Sequence, residues 1–310
     1  MKEALAPADR LELLQTFVRI VEAGSLSAAA RLLATTQPTV SRRLQALERS
    51  LGLRLLQRST HAMKLTEDGE RCFAHAKELL ERWDDFEADA RGARSTPRGT
   101  LRVLVPHAFG QDQLMPPLLS FLEAHPQVGV DWLLHDRQPD YIAEGIDCAI
   151  RVGPVSDPSV VAVRLAEVPR IVVAAPGLWG DGPPPAQPQA LAALPWVALS
   201  LFYRDELRLI GPGGQAQTIA LAPRLSTDSV YATRRAALGG AGAALVSAWV
   251  VAQDLAAGRL VRLLPAWEAE ALPVTLVYPY ARHYSPRLRA FAAWMRARVP
   301  ALDGMRPCAP

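Results

Sequence analysis

From Leu11 onward, Leu11, Leu14, Val18 and Val21 recur three and four positions apart with Phe17 beside them, and Gly24 follows as a stop. This spacing predicts a first helix. Ser27 stands as an N-cap for a short second helix over Ala28 to Ala34, in which Ala29 and Ala30 are small enough to admit a close neighbour and Leu32 and Leu33 bury the far end. Thr36 caps a third helix that runs to about Ser50, with Pro38 tolerated in its first turn. On that helix Val40, Leu44, Leu47 and Leu51 share one face, and Pro38, Arg42, Gln45 and Arg49 point the opposite way, flanked by Thr39 and Ser41. Beyond Gly52, the run Leu53 to Leu65 alternates loosely around Arg58, Ser59, Thr60 and His61, as a two-stranded wing would.

Thr66 opens a longer helix, with Glu67 and Asp68 complementing its positive end, that continues to about Arg91. Phe73, Ala76, Leu80, Trp83, Glu87 and Ala90 advance along it in alternating steps of three and four, a coiled-coil-like seam that Leu79 and Phe86 widen. Ser95 to Gly99 combines breakers and polar residues into a hinge. The pattern then changes. Leu101 to Val105 reads as a strand, Asp112 to Ala124 as a helix, Val128 to Leu134 as a strand, Asp140 to Glu144 as a short helix and Cys148 to Val152 as a strand, an order that calls for a parallel sheet. A second unit follows, with strands at Ile171 to Ala175, Trp196 to Leu199 and Ala243 to Val246, a proline-rich loop at Gly182 to Pro188, and a helix Ser229 to Leu238 behind a capping Asp228. Pro273 to Tyr278 returns as a strand to the first unit and Pro286 to Val299 forms the last helix, so two lobes share two crossings.

Charge sharpens this division. The chain has 310 residues and a net charge of +3, but Met1 to Thr66 carries ten bases against five acids, or +5, which leaves −2 for the remainder. A basic head on a slightly acidic body fits a polyanion at the head alone. By itself the charge fits a solvated surface as well, and so does the outward face of the third helix. Its side chains nevertheless suit DNA, because arginine can bridge guanine, glutamine can bridge adenine, and hydroxyls reach bases or phosphates. Cys72, Cys148 and Cys308 are far apart with no CxxC spacing, so neither a disulfide nor a metal is expected. Met1 to Arg10 has no apolar core of a secretory signal, and the uncharged stretch Ala236 to Ala252 is diluted by glycine and alanine. It reads as a helix end, a glycine turn and a strand rather than a membrane span, and the expected location is the cytoplasm.

The head resembles the DNA-binding domain of the LysR-type transcriptional regulators. The resemblance rests on Leu13 and Phe17, Gly24-Ser25-Leu26, Ala29-Ala30, Leu33, Gln37-Pro38, Val40-Ser41-Arg42, Leu47-Glu48, Leu51-Gly52, Arg58, and Leu65-Thr66 followed by Gly69. Leu56 departs from it, standing where the family usually has phenylalanine, at some cost in wing packing. The rest is similar to the family's effector domain, itself like periplasmic solute-binding proteins, through looser signals: Arg98-Gly99-Thr100-Leu101-Arg102-Val103, His125-Pro126, Asp147 to Arg151, Ala174-Ala175-Pro176, and Leu238-Gly239 with Gly242.

The resemblance implies an α/β protein with an all-α winged helix-turn-helix over 1–66, a linker dimerisation helix over 67–94, a hinge over 95–99 and a two-lobed effector domain over 100–302. Lobe I takes about 100–165 and 272–302, and lobe II about 166–271. It places Ser27, Thr36, Gln37, Pro38, Thr39, Ser41, Arg42 and Gln45 on DNA, with Arg58 and Lys64 of the wing astride the backbone. Phe73, Ala76, Leu80 and Trp83 would pair two subunits. The cleft between lobes would be lined by His107, Ala108, Phe109, His135, Asp136, Arg151 and Val152, with Ser200, Leu201, Asp228 and Ser229 from the far side. His107, Arg151 and a helix N-terminus suggest a small carboxylate.

The implied partners are double-stranded promoter DNA, a small-molecule effector, a second copy forming a homodimer or homotetramer, and RNA polymerase as a further candidate; no membrane, cofactor or metal is expected. A cytoplasmic small-molecule-binding protein or enzyme without DNA function is the alternative. The enzyme version finds no GxSxG, HExxH or Walker A sequence to support it, and Gly239 to Gly242 follows a helix rather than the strand a dinucleotide site needs. A transport component would not need Gln37 to Arg42.

Overall fold

The computed structural model describes residues 7–58, 63–90, 96–137, 139–141 and 144–308. The chain forms two compact units, Met1–Ser95 and Thr96–Pro310.

In the first unit α1 (Pro7–Ala23), α2 (Leu26–Leu32) and α3 (Gln37–Leu51) precede a hairpin of β1 (Leu56–Arg58) and β2 (Met63–Leu65), and α4 (Glu67–Ala90) follows. The buried stripe of α1 is centred on Leu13, Phe17 and Ile20, with Leu14 and Val21 at its margin. Gly24 ends α1 with φ 67°, so Ser25 is the first residue free to take extended backbone, and its Oγ accepts the Ala28 N–H at 3.1 Å. The cap of α2 is therefore Ser25 rather than Ser27, which lies exposed within the helix, and Ala34 falls beyond its end at φ 48°. Val40, Leu44 and Leu47 of α3 close the core against Phe17, Ala29 and Ala30. Leu56 is buried in the same core. Phe73 of α4 also packs there, edge-on to Phe17 with ring centres 6.3 Å apart.

The second unit begins with β3 (Gly99–Val105), α5 (His107–Gln111), α6 (Met115–Ala124), β4 (Val128–Leu134) and β5 (Cys148–Val152). The helix expected over Asp112 to Ala124 begins only at Met115, as α6, and the short α5 before Asp112 was not expected. Pro116 and Pro117 cannot donate within a helix interior and fit only a first turn, so α6 starts at Met115. The helix expected at Asp140 to Glu144 is, among the described residues, a turn closed by one Glu144 N–H to Asp140 C=O bond of 3.0 Å. The Glu144 carboxylate meanwhile takes the Asp140 N–H and the Arg137 guanidinium. β3 pairs parallel with both β4 and β5, as the alternating order requires.

A long strand, β6 (Val160–Ala174), then leads into β7 (Trp196–Leu199), β8 (Glu206–Ile210), β9 (Ala216–Ala220), β10 (Pro223–Thr227), α7 (Val230–Leu238), β11 (Ala244–Ser247), α8 (Ala248–Ala256) and β12 (Val261–Leu263). β13 (Glu268–Pro279), α9 (Pro286–Arg298) and β14 (Arg306–Pro307) complete the chain. β6 and β13 run antiparallel from Ala269 opposite Arg170 to Pro279 opposite Val160. One end of β13 pairs with β5 of lobe I and the other with β8; β6 pairs with β11 and β12 beyond Arg170. These two strands are the crossings between lobes. Each lobe keeps its own core, around Leu101, Phe121, Ile150 and Phe291 in the first and Trp196, Leu207, Leu209 and Leu245 in the second.

Candidate functional site

On the head, alternation along α3 separates two surfaces. Val40, Leu44 and Leu47 face inward, while Thr36, Gln37, Pro38 and Arg42 are exposed, with Thr39, Ser41 and Gln45 half-buried beside them. Thr36 has the extended backbone of an N-cap, yet its hydroxyl bonds the Thr39 hydroxyl at 2.9 Å instead of a backbone N–H. Arg42 Nη2 donates weakly to Thr39 Oγ1 at 3.4 Å, so threonine and arginine form one polar row along the outward face. The neighbouring arginine behaves differently: Arg43 pairs with Glu12 of α1 and is committed to the head's own packing. Lys64 is exposed on β2, opposite Gln57, and Arg58 pairs with Met63 through the backbone.

Three further residues of the matched pattern hold this surface in shape, and of these only Thr66 has a role legible in the sequence, as the cap of the next helix. Glu48 Oε1 accepts the Leu55 N–H at 2.8 Å and lies 3.4 Å from the Leu56 N–H, tying α3 to the wing. Thr66 Oγ1 donates to the Arg54 carbonyl at 2.6 Å and accepts the Gly69 N–H at 2.9 Å, tying the wing to α4. Gly69 is obligatory because a Cβ there would lie 2.0 Å from the Leu55 carbonyl oxygen. Of the residues expected to pair subunits, Ala76 is almost fully buried within the first unit, and Phe73 is half-buried, edge-on to Phe17. Leu80 is half-buried, whereas Leu79, Trp83 and Phe86 are exposed.

In the second unit the C-terminal ends of the parallel strands converge, and a cavity of about 330 Å³ opens beside them. Ala108 and Phe109 follow β3, His135 and Asp136 follow β4, and Arg151 and Val152 end β5; all six line the cavity. Leu201 lines it from lobe II. His107, Ser200, Asp228 and Ser229 are not among its lining residues. The exposed His107 ring lies 3.2 Å from Gln111 Nε2, while its backbone N–H donates to Asp136 Oδ1. Ser200 Oγ donates to the Thr227 carbonyl at 3.1 Å, and Ser229 Oγ caps α7 by accepting the Ala232 N–H. Asp228 is exposed one residue before that cap. Phe202, Val230, Ser247 and Trp249 supply the far wall instead. Trp249 comes from α8, which begins inside the uncharged stretch whose pattern reads as a helix end, a glycine turn and a strand.

The cavity wall is apolar and aromatic apart from a few polar groups. Phe109 of lobe I meets Trp249 of lobe II with ring centres 5.9 Å apart. Arg151 donates from Nη1 to the Arg137 carbonyl at 3.3 Å, and His135 and Asp136 face the same space. Between the lobes Tyr231 of α7 donates to Asp112 Oδ2 at 2.7 Å, with the Ala108 carbonyl 3.3 Å away. Burial, then the bond to Asp112, pushes the Tyr231 phenol well above its ordinary range, so it remains a donor at any ordinary pH. Among the described residues no cluster of His, Cys, Asp and Glu could hold a metal ion, and no helix is long and apolar enough to cross a membrane.

Known proteins match both units of the chain. Residues 11–70 match the bacterial regulatory helix-turn-helix protein model of the lysR family, and residues 94–300 match the LysR substrate binding domain. The chain is 33% identical over 301 residues to the HTH-type transcriptional regulator PtxR of Pseudomonas aeruginosa, covering 96% of each chain. It is 33% identical over 294 residues to the HTH-type transcriptional activator TtdR of Escherichia coli K12, covering 92% of this chain and 94% of that one. Among solved structures, the full-length Vibrio cholerae virulence activator AphB, at 26% identity, superposes with a TM-score of 0.58 over 93% of this chain and 98% of its own. CrgA of Neisseria meningitidis, a LysR-type regulator, gives 0.57 at the same identity and coverage. With a helix-turn-helix head whose polar row is turned outward and a two-lobed domain built around a cleft, the chain belongs to the LysR family of DNA-binding transcriptional regulators.

Proposed function

We propose that this regulator senses a small carboxylate with a flat or apolar body in the cleft and changes its grip on promoter DNA in response. The observation that carries the reading is the cavity's composition: Arg151 and His135 beside Phe109, Phe202 and Trp249, in a space of about 330 Å³. A guanidinium suits a carboxylate, the rings suit a planar body, and the volume suits a compact ligand. DNA contact falls to Gln37, Pro38, Thr39, Ser41, Arg42 and Gln45 of α3, flanked by Ser27, Thr36 and the basic wing.

Leu79, Trp83 and Phe86, with Leu80, form the apolar strip by which two α4 helices pair, which places two reading helices on paired half-sites. Pairing of dimers into tetramers and a contact with RNA polymerase belong to the same proposal, as does action in the cytoplasm. The effector works by binding one arrangement of the lobes more tightly than another and so shifting their populations. A thermal-shift screen of small carboxylates against the full chain tests the cleft. A ligand at a hundredfold excess over its Kd adds about 2.7 kcal/mol of stability. Footprinting with and without the hit tests the response. A hit that leaves protection and DNA bending unchanged would refute the proposed coupling, and retention of full binding by Arg151→Gln would refute the site.

A further inference from the structure

Lobe II carries a second basin, of about 520 Å³, that shares no lining residue with the cleft. Arg234, Arg235 and Arg259 surround it, with Asp254 at its base and Ala175, Pro176 and Leu238 at its side. Asp254 is fully buried and both of its oxygens are occupied. Arg234 Nε donates to Oδ2 at 2.5 Å and its Nη2 to Oδ1 at 3.0 Å, while Arg259 reaches Oδ1 from Nε and Nη2 at 3.0 and 2.6 Å. One carboxylate therefore fixes two guanidiniums in place. Their Nη1 groups make no hydrogen bond among the described residues, and Arg235, exposed on α7, has no ion-pair partner there.

Three positive charges stand against one negative charge in the lining. Asp112 also acts on Arg234, but it lies outside the basin and is engaged by Tyr231. An excess of fixed, forked donors is suited to an anion carrying about two charges and several acceptor oxygens, which describes a phosphate group better than a single carboxylate. Leu238, Ala175 and Pro176 offer an apolar flank on which a small organic body can rest.

We infer that this basin is a second small-molecule site, selective for a phosphate group, either free or carried by a compact phosphate monoester. The site is independent of the cleft reading. It nevertheless sits on the same helix: α7 presents Arg234, Arg235 and Leu238 to the basin and Val230 and Tyr231 to the cleft region.

The test is calorimetric titration of the full chain with inorganic phosphate and with glycerol 3-phosphate, with sodium chloride at matched ionic strength as the control. Saturable binding above the control is expected. Arg235→Gln, which removes no bond of the fold, should weaken it at least tenfold, and Arg259→Gln should do the same; Arg151→Gln in the cleft should leave it unchanged. Tighter binding of the ester assigns the site to a phosphorylated metabolite, and equal or tighter binding of inorganic phosphate assigns it to the free ion. Heat no larger than the chloride control, or binding that Arg235→Gln leaves intact, overturns the inference.

Discussion

Arg42 and Arg43 are adjacent in sequence and opposite in use, because one points into water and the other reaches Glu12 of α1. Arg42→Ala should therefore cost about 1–3 kcal/mol of specific operator affinity if it bonds a base, with little change in thermal stability. Fluorescence anisotropy on matched specific and random duplexes separates the two, and an unaltered preference would remove Arg42 from the reading set. Gly69→Ala is expected to act through the fold: its methyl has no room beside the Leu55 carbonyl, so the first unit should lose at least about 2 kcal/mol, read from its urea midpoint by circular dichroism. Both residues were visible in the family pattern, but only the packing distinguishes an exposed side chain from a steric requirement.

At the scale of elements, side chains that bridge two helices or two lobes set the geometry of the second unit. Asp254 of α8 holds Arg234 of α7, and the bonds from Arg234 and then Arg259 keep its carboxyl below the usual range. A depressed carboxylate contributes stability above its unfolded pKa, near 4, that is lost as pH falls through the lower folded value. Asp254→Asn should accordingly lower stability by about 1–3 kcal/mol at pH 7, and the difference from the natural chain should shrink below pH 4. Equal urea midpoints at pH 7 would argue against the bridge. Tyr231→Phe removes the donor that joins α7 to Asp112, at a cost of about 0.5–1.5 kcal/mol to the second unit. Neither bridge was legible beforehand, since each joins residues whose proximity depends on how complete elements pack. Pro116 and Pro117, by contrast, already carried the reason that α6 begins where it does.

For the whole molecule, the exposed strip on α4 is the feature that most needs a partner. Leu79, Trp83 and Phe86 are 49%, 41% and 60% exposed, more apolar surface than an isolated helix face should present to water. Trp83→Glu is expected to shift the protein from dimer to monomer in sedimentation velocity at micromolar concentration and to weaken binding to paired half-sites more than to a single one. A dimer of unchanged affinity would move the interface elsewhere.

The chain's local patterns were sufficient for what depends on neighbours in sequence. Helical periodicity and capping residues located the three helices of the head within a few positions, turn signals located the wing, and strand runs located β4, β5 and β7 with their observed ends. The resemblance of the head followed from spacings within one short segment, and that of the second unit from looser signals spread along it. Tertiary structure decided what depends on distant segments meeting. It buried Ala76 and packed Phe73 against Phe17 in their own unit, withheld His107, Ser200, Asp228 and Ser229 from the cavity wall, and brought Trp249 and Phe202 to it. Periodicity reports which face of an element avoids water. Which other element covers that face, and which loop ends point into the space between two lobes, is set by strand register and packing across the long crossings of β6 and β13.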